Sequence, residues 1–240
     1  MTDARSRICV ALDTQDAAQA AELARKLAGT ADLVKVGMEL FYAAGEAGYR
    51  MVAEAGVPVF LDLKLHDIPN TVAQGLRSLM RLDPAPAIVN VHATGGPAMM
   101  RAAAQAVEGR AKLIAVTLLT SLGEEDAAAV GFDAALGIDD HVANLAELAR
   151  ACGLDGVVCS PRDLATVRRV CGPDFLTVVP GIRPAGAETA DQKRIATPRA
   201  AQEAGADILV IGRPVTQAED PVAAAAEIAR SLAGESSTSH

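Results

Sequence analysis

The 240-residue sequence has no tryptophan, two tyrosines and four phenylalanines, so ring platforms for stacking unpaired bases are scarce. Cys9, Cys152, Cys159 and Cys171 form no C-x-x-C pair and no Cys/His spacing, so neither a zinc site nor a disulfide framework is indicated. Cys9 and Cys159 lie in apolar runs, where a thiol behaves as a small buried hydrophobe, and a reducing cytoplasm is the expected location. No apolar run approaches the roughly 18 residues of a membrane-spanning helix. The N-terminal MTDARSRICVALD lacks the apolar core and cleavage site of a signal peptide. A basic excess is also missing. Lys and Arg number 22 against 30 Asp and Glu, for a net charge of −8, and no basic cluster offers a surface for nucleic acid.

What the chain does have is apolar material: half of it is hydrophobic, enough for a large core. Eight short runs rich in Val, Ile and Leu recur along its length. They are ICVALD (8–13), LVKVGM (33–38), VFLDLKL (59–65), IVNVHA (88–93), LIAVTLL (113–119), GVVCS (156–160), LTVVPGI (176–182) and ILVIGR (208–213). Most are continuous rather than alternating, as parallel strands covered on both faces require. Ala-rich stretches of helical period separate them. Ser160-Pro161 with Asp163 and then Gly172, Thr197-Pro198 to Gly205, and Asp220-Pro221 to Gly234 each read as a cap, a first helical residue and a stop; Gly96-Pro97 is a weaker case.

Run starts are mostly 20 to 32 residues apart, with one 43-residue step from Leu113 to Gly156 that predicts an added loop and short helix. Eight βα units within about 250 residues is the arithmetic of a (β/α)8 TIM barrel in a single α/β domain. We place that barrel at residues 1–234, with a frayed tail at 235–240. A doubly wound open sheet is the competitor, but G-x-G-x-x-G is absent after the first run.

Active sites of such barrels lie at the C-terminal strand ends, so the charges there matter. The first run ends in Asp13 and the second carries Lys35. The third carries Asp62 and Lys64, with Asp67 just beyond, and the fifth leads to Thr117 and Thr120. On a regular strand, residues two apart face the same way, which predicts that Asp62 and Lys64 project together and that Lys35 approaches from the next strand, giving an alternating array of Asp62, Lys64, Asp67 and Lys35. Such an alternating array favours the charged ammonium, a poor Schiff-base nucleophile but a good cation and proton donor. A purely structural ion-pair network is the competing reading.

Pro180-Gly181-Ile182-Arg183 and Gly212-Arg213 end the last two runs, where this fold commonly builds a phosphate cup. The glycines allow close backbone approach and the arginines offer planar forks. The segment 183–194 has the composition of a loop that closes over a ligand. His66 and His92 have weaker claims: a lone His at a strand end is more often structural, and His66 alternates away from Lys64. No His/carboxylate spacing suits a metal.

The block DLKLHDIPNT (62–71), with VKVGMELFYAAG, NVHATGG, VTLLTS, VPGIRP, ADQKR and IGRPV in order, resembles the bacterial-type orotidine 5′-monophosphate decarboxylases over nearly the whole chain. The resemblance implies decarboxylation of orotidine 5′-monophosphate to UMP, the last step of de novo pyrimidine nucleotide synthesis, without cofactor or metal. It implies Lys64 as proton donor to a C6 carbanion, Asp62 against the departing carboxylate, and Lys35 and Asp13 at the ribose hydroxyls. Asp67, Ile68 and Thr71 would reach the site of a second subunit in a homodimer. Thr120 would contact the pyrimidine, and Gln192, Gly212 and Arg213 would bind phosphate beside Arg183. Leu63, Leu65, His66, Pro69 and Asn70 fall within the motif and count among the implied substrate-binding positions. A bare D-x-K-x-x-D also occurs in magnesium-dependent sugar-phosphate decarboxylases and synthases, although they lack the I-P-N-T continuation. Those enzymes, and a regulatory barrel with a disabled site, are the alternatives.

Overall fold

A computed structural model describes residues 6–183 and 196–234. All eight apolar runs form strands: β1 (Arg7–Ala11), β2 (Leu33–Gly37), β3 (Val59–Leu65), β4 (Ile88–His92), β5 (Lys112–Val116), β6 (Gly156–Val158), β7 (Leu176–Val179) and β8 (Ile208–Ile211). Neighbours pair in parallel in chain order, and β8 returns to β1 with Ile8 opposite Leu209, closing the barrel. Seven strands end before their apolar runs do; β3 alone reaches the end of its run. The surplus residues become the rim, because the chain must leave the ladder to enter each helix.

The helices are α1 (Ala17–Leu27), α2 (Met38–Ala53), α3 (Pro69–Leu79), α4 (Gly96–Val107), α5 (Glu124–Ala129), α6 (Ile138–Ala151), α7 (Leu164–Cys171), α8 (Pro198–Glu203), α9 (Arg213–Thr216) and α10 (Pro221–Leu232). The long step between β5 and β6 holds the extra helix α5, as its length predicts. Thr197 accepts from the Ala200 N–H, and Asp220 accepts from those of Val222 and Ala223, caps each worth about 1 kcal/mol. At Ser160 the roles are exchanged. The Asp163 carboxylate accepts from the Ser160 N–H at 2.9 Å, and a 3-10 turn over Pro161–Asp163 precedes α7. Gly172 and Gly205 follow α7 and α8 at φ of 83° and 96°, where glycine carries no Cβ penalty.

Strand alternation sorts the core into two shells. Ile8, Val10, Val34, Val36, Leu61 and Leu209 face outward into a continuous layer with the helices. Cys9, Leu33, Phe60, Ile88, Ile114, Val178 and Ile208 fill the barrel. Both faces of each strand are therefore apolar, which is why the runs do not alternate.

At the N-terminal end of the barrel a further device repeats. Asp32, Asp155 and Asp207 stand immediately before β2, β6 and β8. Each accepts a backbone N–H from the preceding strand: Ile8 at 2.8 Å, Leu113 at 2.9 Å and Thr177 at 2.7 Å. Each aspartate also donates its own N–H to the carbonyl of that same residue. The equivalent residue before β4 is Ala87, which donates to the Val59 carbonyl and has no side-chain oxygen to return the contact.

Candidate active site

At the C-terminal end of the barrel a cavity of about 280 Å³ opens among Asp13, Lys35, Asp62, Lys64, Thr120, Arg183 and Arg213, with Gly181 and Gly212 in its wall. Ala11, Phe60, Val178 and Val210 also line it and belong to the barrel filling, so charges stand directly on an apolar base. In such surroundings charge–charge interactions are screened less than in bulk water.

The charges form a chain. Asp13 Oδ1 lies 3.1 Å from Lys35 Nζ, Lys35 Nζ lies 3.4 Å from Asp62 Oδ2, and Asp62 Oδ1 lies 2.7 Å from Lys64 Nζ. Burial alone pushes the Lys35 ammonium down, but the charges of Asp62 and Asp13 outweigh it and hold the pKa above the usual lysine value. For Asp62 burial pushes upward, and Lys35 and Lys64 together with hydrogen bonds from Lys64 and Asn90 bring it below the usual carboxylate range. Both groups are charged across the neutral range. Gly37 makes room for this: a Cβ there would stand 2.9 Å from Lys35 Nζ. Beneath the array, burial pushes the Cys9 thiol up to about 12, so it stays neutral.

Asp62 and Lys64 meet, though not through regular alternation. Leu61 pairs with Val89 and Leu65 with Val91, so β3 spends two more residues than β4 between these points. Within that irregularity Lys64 adopts φ of 51°, a left-handed conformation that costs a side-chain-bearing residue on the order of 1–3 kcal/mol and persists only where its surroundings enforce it. The enforcing group is Asn90 on β4, which is 1% exposed. Its Oδ1 accepts from the Lys64 N–H at 2.8 Å, and its Nδ2 donates to Asp62 Oδ1 at 2.7 Å. The sequence reading missed Asn90. Its signal was an amide between Val89 and Val91, two residues from Ile88 and hence facing the barrel interior beside β3.

The other expected positions divide. Thr120, Arg183, Gly212 and Arg213 reach the cavity. Arg183 is buried, with Nη1 donating to the Ile182 carbonyl. Leu63 faces the opposite way, into the outer core, and Leu65 packs against that layer. His66 is exposed and its ring lies 5.3 Å from that of His92. Burial, then the charges of His66 and Lys64, hold the His92 pKa below its usual value. Asp67, Asn70 and Thr71 are exposed, Ile68 is 67% exposed, and Pro69 opens α3. None of these lines the cavity of its own chain. Gln192, most of the 183–194 segment and the 235–240 tail lie outside the described residues. Among the described residues no group of three or more His, Cys, Asp or Glu is placed to hold a metal, and no helix is long and apolar enough to cross a membrane.

Similarity to known proteins points the same way as this geometry. The chain is 50% identical over 238 residues to an orotidine 5′-phosphate decarboxylase of Moorella thermoacetica, covering 95% of this chain and 93% of that protein. It is 52% identical over 199 residues to the same-named protein of Erythrobacter litoralis, covering 83% and 87%. A crystal structure of orotidine 5′-phosphate decarboxylase from Lactobacillus acidophilus superposes with a TM-score of 0.80 at 38% identity, over 95% of this chain and 99% of that one. The model of the orotidine 5′-phosphate decarboxylase / HUMPS family matches residues 6–228, and the chain belongs to that family.

Proposed function

We propose that this barrel is a single catalytic domain that decarboxylates orotidine 5′-monophosphate to UMP and CO2, the closing step of pyrimidine nucleotide synthesis in the cytoplasm. In this reading it uses no metal or cofactor, and Lys64 is the proton donor. The observation that carries the reading is the alternating chain Asp13–Lys35–Asp62–Lys64 on the cavity wall. The reaction breaks the bond from C6 to the carboxylate carbon. CO2 departs, the electron pair stays on C6, and a proton from the Lys64 ammonium fills the vacancy, leaving a neutral amine that water reprotonates. No electron sink spreads the developing charge, so a cation already in place is the stabiliser this step needs. Asp62 anchors that ammonium through Oδ1 and faces the departing carboxylate. Lys35 and Asp13 hold the ribose hydroxyls, and Thr120 meets the pyrimidine.

Arg183, Gly212, Arg213 and Gln192 take the phosphate. Their contacts lie far from the reacting carbon, and such binding energy accelerates the step when it is expressed in closing and orienting the site. Asp67, Ile68 and Thr71 serve the cavity of a second copy in a homodimer. Their exposure beyond their own cavity supports this, as do the large exposed side chains of Met38 and Tyr42 in the first turns of α2, directly after β2.

The test follows the ultraviolet band of orotidine 5′-monophosphate in excess EDTA. The wild-type chain is expected to consume it, and Lys64→Ala to lower kcat by about 10²–10⁴-fold, the range for removing a positioned general acid. A variant rate within about tenfold of wild type, roughly 1.4 kcal/mol of barrier, removes Lys64 as the donor. No turnover by the wild type removes the substrate assignment. Activity lost in EDTA and restored by magnesium removes the metal-free mechanism.

A further inference from the structure

Asp62 must present one carboxylate oxygen to Lys64 and the other to Lys35, and Lys64 must hold a backbone conformation that lysine seldom takes. One buried amide serves both requirements. Asn90 Nδ2 donates to the same Asp62 oxygen that receives the Lys64 ammonium, and Asn90 Oδ1 accepts the backbone N–H of Lys64 itself. That N–H has left the β3–β4 ladder, because the pairing register shifts between Leu61 and Leu65. With Asn90 1% exposed, water is a poor substitute for it on either side. The amide thus ties the main chain that carries Lys64 to the carboxylate that steers its side chain, across two strands.

We infer that Asn90 is a positioning residue of the reaction: by donating to Asp62 and accepting from the Lys64 backbone, it fixes the direction of the Lys64 ammonium without touching substrate. The inference rests on the decarboxylase reading above. It separates two roles in one side chain. The acceptor role holds the left-handed turn at Lys64 and is structural. The donor role stabilises the ionised form of Asp62 and orients it. The charged and titratable groups facing Asp62 are Cys9 from β1, Lys35 from β2, Lys64 from β3 and His92 from β4, with Asp13 beyond Lys35. Removing the amide donor therefore leaves Asp62 easier to protonate.

Two variants test this. Asn90→Ala deletes both roles; Asn90→Asp keeps the shape and an acceptor for the Lys64 N–H but puts a second carboxylate where the donor stood. Both are expected to lower kcat for orotidine 5′-monophosphate at least about tenfold, the loss of one oriented polar contact. KM and the Kd for UMP should stay within about threefold, since phosphate and ribose contacts are untouched. The acidic limb of the kcat–pH profile should move up by about one unit in Asn90→Ala. Recovery of wild-type kcat in Asn90→Asp overturns the inference, because a merely structural acceptor would suffice. So does a matching rise in KM and UMP Kd, which marks a distorted cavity, or an unmoved acidic limb. Absence of turnover in the wild-type chain would instead strike the decarboxylase reading itself.

Discussion

Asp62, midway along β3 and facing the C-terminal end of the barrel, and Asp207, just before β8 at the other end, are both carboxylates with several donors, yet their surroundings assign them different work. Asp207 Oδ2 accepts from the Thr177 N–H at 2.7 Å, the Thr177 hydroxyl at 3.0 Å and Arg168 Nη2 at 2.7 Å. Arg168 also donates to the carbonyls of Gly172, Pro173, Phe175 and Gly205. These partners belong to the scaffold, so the contacts fasten α7 and two strand starts together. Asp32 and Asp155 do the same in smaller form. Asp62 instead faces two ammonium groups that both line the cavity. A carboxylate becomes a latch when its donors are main chain and a crossing arginine. It becomes part of a site when its donors are side chains with one side open to a ligand.

Breaking the upper array is expected to have the largest effect. Asp62→Ala leaves Lys35 and Lys64 facing each other and strands the Asn90 donor, and kcat/KM should fall by about 10²–10³-fold in steady-state assays. A fall below tenfold would make the array dispensable. Because the folded-state pKa of Asp62 is lowered, its contribution to stability is present above the ordinary carboxylate value and is lost as pH falls through the folded one. Lys35, raised instead, contributes below the ordinary lysine value and loses that contribution as pH rises through its folded one. The gap in thermal midpoint between wild type and Asp62→Asn should therefore hold from about pH 5 to 9 and narrow below about pH 4.

A cut at the lower end should separate stability from rate. Asp207→Ala leaves the Thr177 N–H and the Arg168 guanidinium without their carboxylate, a cost of about 2–4 kcal/mol. At about 2–4 °C per kcal/mol for a chain of this size, calorimetry should record a midpoint lower by about 4–16 °C. Turnover at permissive temperature should stay within about twofold, and a tenfold loss would erase the distinction between the two ends. The smallest effect sharpens the comparison. Ala87→Asp adds the carboxylate that β4 lacks, within reach of the Val59 N–H if the register of the other three latches holds. A gain of about 0.5–1.5 kcal/mol, or about 1–6 °C, is expected, and a lower midpoint would show that the fourth position is not equivalent.

The upper end was more legible than the lower. Asp62, Lys64 and Lys35 stand out because a charge inside an apolar run is costly unless paired, and three of them in neighbouring runs invite a common site. Asn90 carries no formal charge and passed unnoticed, although its burial makes its hydrogen bonds as obligatory as those of its neighbours. The latches were equally hidden. TADLVK (30–35), GLDGVV (153–158) and GADILV (205–210) each place an Asp before a strand, but an Asp between a helix and a strand reads as an ordinary turn residue.

Composition and periodicity by themselves determined the eight-fold alternation of strand and helix, several of the helix starts and the end of the barrel where charge gathers. These follow from local rules: burial on both strand faces, caps at fixed offsets, and the directional sense of a βα unit. Only the tertiary structure decided how Asp62 and Lys64 meet. Regular alternation would have placed them on one face of a straight strand; the chain instead breaks the β3–β4 register and turns Lys64 into a left-handed conformation held by a side chain 26 residues away. A strained conformation is stable only against the partner that enforces it, and no local pattern in the sequence names that partner.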